Sequence, residues 1–217
     1  MLRRILLPMA VILAMLCIAG CGAEKPKDSA DKAILGWSEM YAFGVSDNVA
    51  ATGMSKAQSD QIAEKVIGDM LAAFSQYPLS DKNVENITSE YIIKVKAAMD
   101  IKTKIKKDDS ENPVVEVSAS VIDQQGAAKV AANHEDLKNL GIVLGQLRAM
   151  GLTDDQIKAD ANFQEGIMEC VNNYIDEIPL QPTKTLDVEC GIGQGEDGKP
   201  YWAPKNPEAL RNFLAGM

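Results

Sequence analysis

Histidine is almost missing from this 217-residue chain, which has one, His134. A Ser-His-Asp or Cys-His catalytic site would have to use that residue. Its neighbours Asn133, Glu135 and Asp136 describe a wet helix surface, and Val130 and Leu137 mark a buried stripe nearby. His134 is therefore expected on the surface or at the edge of the stripe. Cysteine is scarce too, with four, and no Cys-x-x-Cys occurs. That argues against a dithiol redox motif, and with a single histidine it leaves too few good ligands for structural zinc. Aromatics make up 5% of the chain, and Trp37, Tyr41, Tyr201 and Trp202 are much of that set. There is no internal repeat and no low-complexity tract. No apolar run comfortably reaches the roughly 20 residues that a membrane-spanning helix needs.

A shorter apolar run is present at the start. Arg3 and Arg4 precede Ile5 to Ile18, which is interrupted only by Pro8 and followed by small residues. A basic start, a short apolar core and a small-residue end describe a secretory signal over residues 1–20. The junction Ile18-Ala19-Gly20-Cys21 resembles the lipobox of bacterial lipoprotein precursors. In that family a diacylglyceryl group is attached to the cysteine and the chain is cut just before it. The resemblance implies that Cys21 becomes the lipid-bearing first residue, with the membrane as a partner through that lipid. Several acyl chains give stable attachment, each buried CH₂ contributing about 0.8 kcal/mol. Asp after the cysteine often marks inner-membrane retention in two-membrane bacteria. Gly22 here points to the outer membrane in such a cell.

The remainder, 21–217, divides into a polar tether, 21–28, and a body, 29–217, long enough for one domain with its own core. Loss of Arg3 and Arg4 with the signal takes the formal net charge from −9 to −11. An acidic body of this kind does not bind nucleic acid nonspecifically, which requires Lys and Arg to displace counterions.

Periodicity organises the body. Ser29 caps a helix with Ala33, Ile34, Trp37, Met40 and Tyr41 on its stripe. Ser55 and Gln58 form a capping box for a second helix that stops before Pro78. A shorter helix is expected from Ser89 to about Ala98. The period then changes from 3.6 to 2: Ile101, Thr103 and Ile105 alternate with Lys102, Lys104 and Lys106, and Val115 to Val121 form the return strand. One helix is expected over about 124–150, and another from Thr153 to Pro179. A second hairpin follows, with Leu186, Val188, Cys190 and Ile192 on one face, Asp197-Gly198 at the turn, and Tyr201 and Trp202 on the return strand. Asn206 caps a terminal helix with Pro207 in its first position. The order predicts an α+β fold: an antiparallel sheet of about four strands, in two hairpins, packed against several helices. The hairpin Ile101–Asp123 and the ending Asp197-Gly198-Lys199-Pro200-Tyr201-Trp202 resemble α+β domains of bacterial lipoproteins of cystatin-like and nuclear-transport-factor-two-like type. That resemblance implies a fold type and a concave sheet rather than an activity.

Several constellations bear on chemistry. Cys170 and Cys190 remain in a compartment that permits disulfides. If the helix carrying one packs on the strand carrying the other, a bond would close a loop of about 20 residues, worth on the order of 3 kcal/mol. The alternative is two separate buried thiols. Gly191-x-Gly193-x-Gly195 leads into a hairpin turn and opens no helix, so it reads as a strand bulge and flexible turn, not a phosphate loop. Asp108 to Asn112 lacks the spacing of a calcium loop. Lys102, Lys104, Lys106 and Lys107 read as a solvent-facing strand whose lysines discourage edge pairing, or as a patch for an anionic partner. Tyr201 and Trp202 point to opposite faces, which makes one of them a candidate ligand or interface contact. No cofactor and no metal are expected. The expected role is a non-catalytic binding or interaction domain tethered to the cell envelope, its partner a protein, glycan or small molecule. The alternatives are an envelope enzyme using carboxylates in a sheet pocket and a structural or assembly lipoprotein.

Overall fold

The structure is a computed structural model that describes residues 24–72 and 74–217. The expected signal, Cys21 and the first residues of the tether lie outside the described residues. The chain runs α1 (Ala30–Phe43), a 3-10 turn (Val49–Thr52), α2 (Lys56–Ala72), α3 (Asp81–Met99), β1 (Lys102–Lys107) and β2 (Val114–Ala119). It continues through α4 (Gln124–Asn133), α5 (Glu135–Ala149), α6 (Asp154–Ala159) and α7 (Ala161–Asp176) to β3 (Lys184–Gln194), β4 (Pro200–Pro204) and α8 (Pro207–Leu214). The fold is α+β, as expected. Two hairpins, β1–β2 and β3–β4, join through antiparallel β2–β3 pairing into one sheet of order β1-β2-β3-β4.

Strand alternation decides which face is dry. Val115, Val117, Ala119, Val188, Cys190 and Trp202 are buried, while Lys102, Lys104, Asp187 and Glu189 on the other face stay exposed. Helix α1 covers the dry face. Near its start the Asp31 carbonyl accepts from the Thr103 hydroxyl of β1 at 3.0 Å, and further on the Trp37 indole N–H donates to the Trp202 carbonyl of β4 at 3.2 Å. That second bond satisfies a carbonyl of edge strand β4, which would otherwise be open to strand addition. At the opposite edge, β1 carries the lysines.

Helices α3, α5 and α7 pack on one another, with α7 against both α3 and α5, and their buried residues join those of α1 and the sheet in one core. Phe163, Ile167, Val171 and Ile175 recur every four residues on α7, and all are buried. Truncating a fully buried Ile such as Ile167 to Ala typically costs about 2–5 kcal/mol.

The helix boundaries differ from expectation at four places. Helix α2, expected to run up to Pro78, ends at Ala72. The expected 89–98 helix is the second half of α3, which begins eight residues earlier under a Ser80 cap on the Asn83 N–H. Its first half is largely polar, and Ile87 alone among its apolar residues is fully buried. The expected 124–150 helix is two helices, broken where His134 takes an extended backbone, ψ 117°. The expected helix after Thr153 is also two. Thr153 and Gln156 form a capping box for α6, and Asp160, at ψ 109°, ends α6 and caps α7 through the Phe163 N–H. The glycine-rich stretch is not a bulge. Cys190 to Gln194 pairs with Pro204 to Pro200 without a register shift, and the one shift in the sheet lies between Ile105 and Lys107 in β1.

Candidate functional site

Two clefts converge on α5. The first lies at the α4–α5 elbow. His134 closes α4 by donating its N–H to the Val130 carbonyl at 2.8 Å, and opens α5 by accepting from the Lys138 N–H at 3.2 Å. Its ring is turned inward, leaving the residue 7% exposed, and lies edge-on to Tyr174 with centroids 6.1 Å apart. Nε2 stands 3.8 Å from Oε2 of Glu177, and neither ring nitrogen has a hydrogen-bond partner. Lys129, Asn133, Glu135, Asp136 and Glu177 line a cleft of about 530 Å³ around it. No Ser or Cys lines that cleft beside the imidazole, so a nucleophile–base pair is not assembled there. Among the described residues, no three His, Cys, Asp or Glu side chains gather as metal ligands.

The second cleft is a groove of about 520 Å³ between α5 and α7. The helices are antiparallel. At one end the Cys170 thiol donates to the Asp136 carbonyl at 3.6 Å, and Asn173 donates to the Asp136 carboxylate at 2.9 Å. Leu147, near the end of α5, and Phe163, near the start of α7, line the same groove. Burial, then the charges of Asp136 and Glu169, push the Cys170 thiol above its ordinary pKa. Both carboxylates thus lie close enough to the thiol to act on it.

The residues singled out from the sequence fall elsewhere or part company. The expected disulfide is corrected: Cys170 and Cys190 are both free thiols. It rested on α7 packing against the strand that follows it, and α7 instead packs on α3 and α5. Cys170 faces the α5 groove, whereas Cys190 is fully buried in the sheet core, where burial raises its pKa to about 12. The expectation for His134 is corrected as well, because the helix break turns its ring into the interior. Trp202 enters the core at 8% exposure. Tyr201 is half-buried on the other face, its ring against Gly193 and Gly53. A Cβ at Gly53 would come within 2.0 Å of that ring and one at Gly193 within 2.6 Å, and Gly53 also has φ 68°. The glycines thus make room for an aromatic ring.

The turn at 108–112 closes on itself. The Glu111 and Asn112 N–H groups both donate to Asp109, which with Lys107 holds its carboxyl down at about 2. Three of the four strand lysines also meet carboxylates: Lys102 meets Asp100, Lys106 meets Asp187 and Glu116, and Lys107 meets Asp109.

The α5–α7 groove was not foreseen in the sequence, although a signal was there. Ile142, Val143 and Leu144 are three consecutive apolar residues on one helix, more than a single buried stripe accommodates. Leu144 is buried, while Ile142 and Val143 are 59% and 42% exposed.

The fold and clefts define an α+β domain with a two-faced sheet and an acidic, apolar-floored groove on its helical side. No family model matches the chain, and neither does any curated protein. The chain is similar in structure to YcdA, a candidate lipoprotein of Bacillus subtilis subsp. subtilis str. 168, at 14% sequence identity and a TM-score of 0.45. The likeness covers 86% of this chain and 55% of YcdA, so the chain spans about half the length of that protein.

Proposed function

We propose that the protein is an exported lipoprotein of the cell envelope whose folded body binds a partner instead of transforming a substrate. The observation that carries the anchoring is Ile18-Ala19-Gly20-Cys21, placed directly after a short apolar run that follows Arg3 and Arg4. None of the described helices is long and apolar enough to cross a membrane. The open groove on α5 and α7 supports the binding role, because an exposed concave apolar surface between polar rims is what a binding site requires. The cystatin-like or nuclear-transport-factor-two-like character of the sheet belongs to the same reading and adds no activity to it.

The test is Cys21→Ser followed by cell fractionation. The parent protein is expected in the membrane fraction as a processed chain, and the variant is expected to be unprocessed or released. Unchanged attachment together with unchanged processing would contradict the lipid anchor. A second reading, an envelope enzyme, finds its support in the gathering of Glu135, Asp136 and Glu177 around His134. It requires that turnover of some substrate be lost in His134→Gln and Glu177→Gln while the fold stays intact.

A further inference from the structure

The α5–α7 groove has features that narrow the chemistry of its partner. Its floor is apolar: Leu140 and Phe163 are buried beneath it, and Val143, 42% exposed, with half-buried Leu147 presents the open apolar surface. Asp136, Asp160 and Glu169 line it, and no Lys or Arg does. An apolar ligand gains from covering such a floor, at roughly 25 cal/mol for each Å² removed from water. An anionic ligand would meet the rim carboxylates as like charges, whereas Lys or Arg beside the apolar contacts would complement them. The groove runs between two antiparallel helices, a seam that suits a third helix lying along it. Gly166 lies in the groove, and a Cβ there would meet nothing within 4 Å, so a partner backbone has room to approach.

We propose, on the reading of the folded body as a binding module, that this groove receives a basic amphipathic helix from another protein. The apolar face of that helix covers Val143 and Leu147, and its Lys or Arg residues meet Asp136, Asp160 and Glu169. Anionic membrane is the poorer match, since the mature chain itself carries a strong negative charge.

Cys170 provides the readout, because its half-buried thiol lines the groove while Cys190 is fully buried and serves as an internal control. The experiment measures iodoacetamide alkylation of the intact lipidated protein in uncharged detergent. The probes are an amphipathic Leu–Lys peptide of about 14 residues, four helical turns, and its Leu–Glu counterpart. The Leu–Lys peptide is expected to slow Cys170 alkylation about tenfold at saturation, and the Leu–Glu peptide to leave it unchanged. Glu169→Lys is expected to raise the half-protecting concentration about tenfold. Gly166→Leu, which fills the floor without breaking the helix, is expected to abolish protection. Equal protection by both peptides would overturn the proposal, and so would protection indifferent to both substitutions. A chain that sediments as a dimer with Cys170 already shielded would overturn it in favour of a second copy. The mass of the lipid on Cys21 is read separately, so loss of the anchor and loss of the groove are told apart.

Discussion

Gln164 shows how one side chain ties three elements together. It is buried at the start of α7, donates to the carbonyls of Pro78 at 2.8 Å and Ile157 at 3.3 Å, and accepts from the Ser80 N–H and the Asn83 amide. The amide therefore joins the N-terminus of α3 to α6 and α7. Replacing it with Leu keeps the volume and strands several buried polar groups, each costing about 1–3 kcal/mol. Urea denaturation of Gln164→Leu should show a loss of about 3 kcal/mol, and a loss well under 1 kcal/mol would mean that the network is not structural. Tyr41 supplies a pH dependence. Burial pushes its phenol from 10.0 to about 12, against the opposing pull of Arg211, whose guanidinium lies 5.1 Å from the ring centre. The proton is held more tightly in the folded chain than in the unfolded one. The stability this confers is complete below pH 10 and is lost as pH rises through about 12. Unfolding midpoints at pH 9 and pH 11 should therefore differ more in the parent than in Tyr41→Phe, and an equal difference would assign the alkaline loss to other groups.

At the scale of the element, capping decides where the helices of the second half begin. Asp160→Ala removes the acceptor for the Phe163 N–H and should lower the denaturation midpoint by an amount equivalent to about 1 kcal/mol. Gly166→Ala, in the same helix with open space around the new methyl, should raise stability by about 0.5–1 kcal/mol. The opposite sign in either would contradict the placement of α7. The strands were legible in the sequence because one face is dry: Val115, Val117, Val188 and Cys190 alternate with polar residues and are buried as that pattern requires. The caps at Ser55, Thr153 and Asn206 were legible for an equally local reason, an oxygen three residues ahead of a free N–H. The two helix breaks were not. His134 and Asp160 interrupt apolar stripes that continue on either side. Asp160 carries the same local cap signal, an oxygen three residues ahead of the Phe163 N–H, but the unbroken stripe masked it, and at His134 no cap signal marks the break. The groove was hidden for a related reason, since Val143 and Leu147 look like any inward stripe until the neighbouring helix is seen to leave them half uncovered.

Across the whole molecule, charge and covering are distributed by face. The sheet turns a polar, ion-paired surface outward and lays α1 across its dry side, so each open edge is managed: β1 by lysines and β4 by the Trp37 bond. The helical side keeps an acidic rim around uncovered apolar surface. Among the described residues no helix is long and apolar enough to cross a membrane, and the attachment we propose is the lipid on Cys21. Intact-mass measurement of the membrane-extracted protein tests that assignment most directly. The expected mass is that of a chain beginning at Cys21 and carrying a diacylglyceryl group. A chain retaining residues 1–20, or one cut there without lipid, would contradict it.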